Sequence, residues 1–207
     1  GSRDVGEQIC RNAGLKKITM ELGSNSPLVV MADADLEKVA SATAVTGFAN
    51  AGQVCISTQR VLVDQEVYSD FIDILTPKVE ALSVGNQLDE SVSVGPMVRE
   101  QDAVRVGSWI EEASQGGARI VTGGGRNGSL HEPTIVADVD PGMRIFCDEL
   151  FGPAVGLTRF VNIDEAITIA NNTNYGLSAA IFTENLPDAM KFVRGVHSGN
   201  IHVNWGT

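Results

Sequence analysis

The hydrophobic pattern changes period repeatedly along the chain. Short apolar runs at residues 28–31, 60–63, 133–136, 155–160 and 178–182 alternate with longer stretches whose apolar residues return every third or fourth position. The short runs predict strands, and further strands are predicted at 16–22, 118–121 and 201–204. Leu28-Val29-Val30-Met31 is wholly apolar, as in a strand covered on both faces. The longer stretches predict helices. One spans 4–13, with Val5, Ile9 and Ala13 at helical spacing and Gly14 as its stop. A second is capped by Asp33 or Asp35, has a small side made of Leu36, Val39, Ala40, Thr43 and Gly47, and runs on into Gly52. Others span 65–82 and 100–115, run from Asn162 to about 172, and run from Asn185 or Pro187 to near Gly199. Alternating strands and helices predict an α/β fold, a three-layer domain with a mainly parallel sheet covered by helices.

Two connections carry candidate chemistry. In Gly52-Gln53-Val54-Cys55 a cysteine follows a flexible glycine and precedes the strand at residue 60. That placement favours exposure of a thiol, and thiols are nucleophilic through their ionised form. In Met20-Glu21-Leu22-Gly23-Ser24-Asn25-Ser26-Pro27 a carboxylate closes a strand-like run just before a turn. Cys55 reads as a nucleophile and Glu21 as the base that serves it. A lone cysteine is more often a small buried hydrophobe, and that reading is kept for Cys10, on the apolar side of its helix, and for Cys147, in a loop at 138–148. Gly123-Gly124-Gly125 with Gly128 suggests a phosphate cradle, but the strand at 133–136, not a helix, comes next. A dinucleotide fingerprint needs a helix there, so these glycines read as a surface turn. His131, His197 and His202 form no pair with a cysteine and read as ordinary surface or sheet residues.

Composition narrows the classes. The chain has 207 residues, 43% of them hydrophobic, enough for one large α/β domain. Its net charge of −11, spread along the sequence, opposes nucleic acid as a partner. No apolar run approaches the roughly 20 residues of a membrane span. Three cysteines outside any CxxC or Cys/His cluster point to a reducing, cytoplasmic setting and to no metal site.

Five segments together resemble the NAD(P)-dependent aldehyde dehydrogenases: Glu21-Leu22-Gly23 with Ser26-Pro27, Gly52-Gln53-Val54-Cys55, Glu149-Leu150-Phe151-Gly152-Pro153, Asn174-Tyr175-Gly176-Leu177-Ser178, and Gly199-Asn200-Ile201-His202-Val203-Asn204. They stand in the family's order and cover nearly the whole chain. The resemblance implies a piece of a longer enzyme, with residues 1–22 as a lead-in from the end of the cofactor-binding domain and 23–207 as the catalytic domain. Most of the cofactor-binding domain, and the asparagine that completes the oxyanion hole, would precede Gly1. The oligomer-building tail would follow Thr207. The fragment alone is expected to lack dehydrogenase activity, and the full enzyme to be a homo-oligomer. One departure is visible: many members have Gly-Lys where this chain has Ser24-Asn25.

The resemblance also assigns roles. Cys55 and Glu21 would be catalytic. Gly1 and Ser2 would touch the phosphates of NAD or NADP, Leu22 and Gly23 would border the cofactor, Glu149 would bind the nicotinamide ribose, and Phe151 would pack on the nicotinamide ring. Val54, Ile56 and Trp205 would line the pocket for a small aldehyde with an aliphatic or aromatic body. Thiolate addition gives a thiohemiacetal, loss of hydride gives a thioester, and water releases the acid with Glu21 as base. Partial burial is expected to raise the pKa of Glu21. Glu21 favours an acid product over acyl transfer to coenzyme A. A cysteine thioesterase or hydrolase, or a non-catalytic relative, are the alternatives.

Overall fold

The computed structural model describes residues 1–207. The apolar runs become a seven-stranded sheet. Its strands are β1 (Pro27–Val30), β2 (Arg60–Asp64), β3 (Arg119–Thr122), β6 (Thr134–Ala137), β7 (Ala154–Phe160), β8 (Ser178–Phe182) and β9 (Asn200–Val203), in the order β3-β6-β7-β2-β1-β8-β9. Every neighbouring pair is parallel except β3 with β6. β4 (Arg126–Asn127) and β5 (Leu130–His131) form a separate small hairpin.

Alternation along the strands builds a core on each face. Val29 and Leu62 point into one core with Val106, Ile110, Phe146 and Phe192, carried by α4 (Glu100–Gln115), α5 (Arg144–Cys147) and α7 (Leu186–Gly195). α6 (Ile163–Asn171) covers the same face through Ala166. Leu28, Val30, Val61 and Val63 point into the other, with Val39 of α2 (Leu36–Thr46) and Phe71 and Leu75 of α3 (Tyr68–Glu80). Both faces of β1 and β2 are thus dry, which is why their sequence is nearly continuous apolar. No helix is long and apolar enough to cross a membrane.

Four expectations fail for identifiable reasons. Residues 16–22 form no strand, because no neighbour pairs with them. α1 (Arg3–Asn12) buries only Gly6, so Val5, Ile9 and Cys10 on its apolar side are exposed. Cys147 is exposed too, at the end of the one-turn α5, which the loop reading did not foresee. The helix before Cys55 stops at Thr46, and Ala49–Gly52 is a separate kinked turn. The glycines at 123–125 lead into the β4–β5 hairpin, as a turn should.

His131 is a sheet residue but a fully buried one. Its Nδ1–H faces the Glu132 carbonyl at 2.9 Å, and its Nε2 has no partner. Burial pushes its pKa below the ordinary value. The unfolded chain then binds the proton more readily, so the neutral ring's stabilisation is complete above about pH 6.5 and is lost as pH falls below it. The thermal midpoint of the parent chain is expected to fall more steeply between pH 7 and pH 5 than that of His131→Leu. Parallel melting curves would remove His131 as the titrating group.

Candidate active site

Parallel pairing puts the amino ends of β7, β2, β1 and β8 side by side on one sheet edge. The segments just ahead of these strands are 149–153, 53–59, 21–26 and 173–177. They contain the Glu149, Cys55, Glu21 and Tyr175 motifs. Open α/β sheets usually bind ligands at the carboxyl ends of their strands; this constellation gathers at the opposite edge. Within it, Pro27 pairs with Arg60, so Glu21 and Cys55 lie six and five positions ahead of paired residues.

The Cys55 turn is strained and tightly fastened. Asn50, Ala51 and Gly52 are all left-handed, with φ of 51°, 55° and 68°. A left-handed residue other than glycine costs roughly 1–2 kcal/mol. Reciprocal amide contacts hold the turn: Asn50 Nδ2 donates to Gln53 O (3.2 Å), Gln53 Nε2 donates to Asn50 O (3.0 Å), and Gln53 Oε1 accepts from Val98 N–H (2.9 Å). A Cβ on Gly52 would run into the Gly152 carbonyl, so only glycine lets this turn close on the Glu149 segment. Downstream, the Ser57 hydroxyl donates to Thr46 O (3.1 Å) and Thr58 Oγ1 lies 2.7 Å from Thr46 Oγ1. Between these anchors Cys55 is half-buried, and its thiol makes no hydrogen bond. The N–H groups of Val54, Cys55 and Ile56 are also free of internal acceptors, a set of donors aimed at no protein group.

Glu149 is the half-buried carboxylate of the site. Its Oε1 accepts from the Ser24 N–H at 3.0 Å, and Oε2 accepts nothing. The approach needs Gly23, whose Cβ would collide with the carboxylate. Burial pushes the Glu149 pKa up, opposed by the Ser24 N–H. The partial burial expected of Glu21 is not found: Glu21 is exposed at the end of the unpaired segment, and its carboxylate makes no hydrogen bond. Its backbone carbonyl accepts from the Gly1 amino group at 2.8 Å.

Two cavities meet at Glu149. An open cleft of about 560 Å³ is lined by Ser2, Leu22, Gly23 and Glu149, with Cys147 and Tyr175 on its rim. A crevice of about 10 Å³ lies between Gly52, Val54, Glu149 and Phe151. Ser2 caps α1, its hydroxyl accepting from Val5 N–H at 3.4 Å. Phe151 is exposed and left-handed, with φ of 47°. Ile56 lies exposed beside Cys55. Trp205 is not among the residues that line the Val54 crevice. Asn204, with φ of 55°, turns the chain onto α2, and Trp205 lines a separate apolar groove with Val45, Thr46 and Phe182. No group of three or more His, Cys, Asp or Glu side chains is placed to hold a metal ion.

Sequence reasoning missed Asn25 and Gln59, two buried amides in these turns. The one available signal is polarity: Thr58-Gln59-Arg60 leads straight into a fully buried strand.

The family model described as "Aldehyde dehydrogenase family" matches residues 1–207. The 3-sulfolactaldehyde dehydrogenase of Priestia aryabhattai is 46% identical over 204 residues, which are 99% of this chain and 43% of that protein. The benzaldehyde dehydrogenase YfmT of Bacillus subtilis is 41% identical over 206 residues, 99% of this chain and 42% of that one. Among solved structures, the glyceraldehyde-3-phosphate dehydrogenase GapN of Methanocaldococcus jannaschii, complexed with NADP, superposes with a TM-score of 0.95 at 39% identity, covering 100% of this chain and 45% of that one. The lactaldehyde dehydrogenase of Escherichia coli gives a TM-score of 0.94 at 34% identity, with coverages of 100% and 45%. The chain spans less than half the length of these relatives.

Gly52→Ala is expected to destabilise the fold by about 2 kcal/mol or more, from the left-handed backbone and the lost approach to Gly152. Denaturant unfolding measures it; an unchanged midpoint would show that the turn relaxes at no cost.

Proposed function

This chain belongs to the aldehyde dehydrogenase family, and we propose that it is the catalytic-domain portion of an enzyme that oxidises an aldehyde to a carboxylic acid with NAD or NADP. Residues 1–22 would be the lead-in from the cofactor-binding domain and 23–207 the catalytic domain. The observation that carries the reading is the placing of the Cys55 and Glu21 turns ahead of paired residues of β1 and β2, with unbonded N–H groups around the thiol.

The cofactor fits the residues present. The cleft of about 560 Å³ runs from Ser2 at the start of a ten-residue helix to Glu149. A helix N-terminus suits phosphate, and the free Glu149 Oε2 suits a ribose hydroxyl. Gly1 and Ser2 would hold the phosphates, Leu22, Gly23 and Glu149 the ribose side, and Phe151 the ring. When bound, the nicotinamide supplies the hydride acceptor.

The chain's own residues do the rest. The Cys55 thiolate adds to the aldehyde carbon, forming a C–S bond and an oxyanion. The free N–H groups at Cys55 stabilise that charge. Collapse of the thiohemiacetal expels hydride and leaves a thioester on Cys55. Glu21, open to solvent, takes a proton from the water that attacks this thioester; the C–S bond breaks and the acid leaves. Val54 and Ile56 would border an aliphatic or aromatic aldehyde body. The whole enzyme would be a cytoplasmic homo-oligomer.

Brief exposure to an activated aryl ester, read by mass spectrometry, is expected to acylate Cys55 ahead of the exposed Cys10 and Cys147, with Cys55→Ala as control. Equal labelling of all three, in this chain and in the full-length protein, would overturn the nucleophile assignment. In the full-length protein Glu21→Gln is expected to form one equivalent of reduced cofactor, retain the acyl group, and turn over about 10²–10⁴-fold more slowly. A product that requires coenzyme A would favour the acylating subclass instead.

A further inference from the structure

We infer that Asn25 and Gln59 form a two-amide clamp that positions Glu149 for the cofactor; the inference rests on the reading of Glu149 given above. α5 is a single turn, Arg144–Cys147, and a helix that short leaves every carbonyl after Arg144 without a backbone donor. Four consecutive carbonyls are captured by two side-chain amides. Gln59 Nε2 donates to Ile145 O (2.9 Å) and Asp148 O (2.7 Å), and Asn25 Nδ2 donates to Phe146 O (3.0 Å) and Cys147 O (3.2 Å). Gln59 Oε1 then accepts from Leu150 N–H at 2.7 Å. One amide therefore grips the backbone on both sides of Glu149, through Asp148 O and Leu150 N–H. Asn25 Oδ1 is also used, accepting from Thr173 Oγ1 at 3.1 Å.

The partners fix which end of each amide is nitrogen, since the paired carbonyls need donors and the Leu150 N–H needs an acceptor. Asn25 is 1% exposed and Gln59 5%. Buried and fully paired amides of this kind hold one geometry, because any other leaves polar groups without partners. Their positions in the sequence give the clamp its consequence. Gln59 follows Cys55 in one turn and Asn25 follows Glu21 in the neighbouring one. The side chain that faces the cleft is thereby held in register with both catalytic turns. Neither amide is a catalytic residue; both act through Glu149.

The test uses the full-length enzyme with NAD or NADP, and two readouts. Gln59→Met is expected to lower kcat/KM for the cofactor about tenfold, while acylation of Cys55 by an aryl ester, which needs no cofactor, stays within about twofold. Asn25→Asp, nearly the same shape with its donors removed, is expected to act in the same direction and stands in should Gln59→Met not fold. Glu149→Gln is the reference, and adding Gln59→Met to it should cost far less than the product of the single effects. A parallel loss of ester acylation, or full multiplicativity with Glu149→Gln, would make the amides general scaffolding and overturn the clamp. Unchanged cofactor kinetics in Gln59→Met beside a weakened Glu149→Gln would overturn the clamp alone. Unchanged kinetics in Glu149→Gln would overturn the cofactor role of Glu149 and the clamp with it.

Discussion

A guanidinium buried without a carboxylate sits where the central strands begin. Arg60 is 1% exposed and donates only to carbonyls: Asn25 O at 2.8 Å, Ile169 O at 3.2 Å and Ala170 O at 2.9 Å. Its plane lies over the Phe146 ring at 4.9 Å. Burial lowers its pKa to about 10, so it stays charged at neutral pH. An unpaired buried cation costs several kcal/mol, and here the compensation comes from the last turn of α6, whose carbonyls carry the negative end of the helix dipole. The same cation fixes the Glu21 turn through Asn25, and α5 through Phe146. Removing it would leave the Asn25 and Ala170 carbonyls unpaired, since only Ile169 O has a second donor in Asn172 N–H, and would loosen the turn ahead of β1, α5 and the end of α6 together.

That constraint explains why the site stands on the amino edge of the sheet. Thr58, Gln59 and Arg60 are consecutive, and each reaches a different part of the molecule. Thr58 Oγ1 reaches Thr46 and Thr207, Gln59 reaches α5 and Leu150 ahead of β7, and Arg60 reaches the Glu21 turn and α6. The Cys55 turn lies immediately upstream of this hub. Strain in Asn50 and Ala51 can be held there because the two dry cores lock β2, and because Gly52 lets the turn rest on Gly152. Stability of the strand and presentation of Cys55 are therefore one property.

What the sequence revealed follows the same division. Strands β1, β2, β7 and β8 were legible because both of their faces are buried, so every position but Arg159 lies in the interior. Residues 16–22 have strand composition but no ladder partner, and composition does not encode a partner. α1 packs Gly6 against Leu22 and leaves the rest of its apolar stripe about half exposed, with Cys10 in the open. Residue type, turn and resemblance mark Cys55 and Glu21 as candidates, and the structure adds that their turns are neighbours. Asn25 and Gln59 were not legible, since a buried amide looks like any polar turn residue until its partners, more than eighty positions away, are in place. The groove that Trp205 lines was not legible either: it follows one left-handed residue, Asn204.

The choice of neutral amides around Glu149 has its own physical logic. Lys or Arg could cap the same four carbonyls with more donors, but a cation there would also pair with the Glu149 carboxylate and compete with any ligand for it. The charged groups nearby are otherwise engaged. Arg60 is held by carbonyls, and Arg105 donates to Leu150 O at 2.8 Å while its guanidinium lies 5.0 Å from the Trp109 ring. An amide satisfies the backbone, adds no net charge, and leaves Glu149 with one oxygen on Ser24 N–H and the other unpaired at the cleft. Rigid backbone beside an uncommitted acceptor is the arrangement that neutral donors can supply and charged ones cannot.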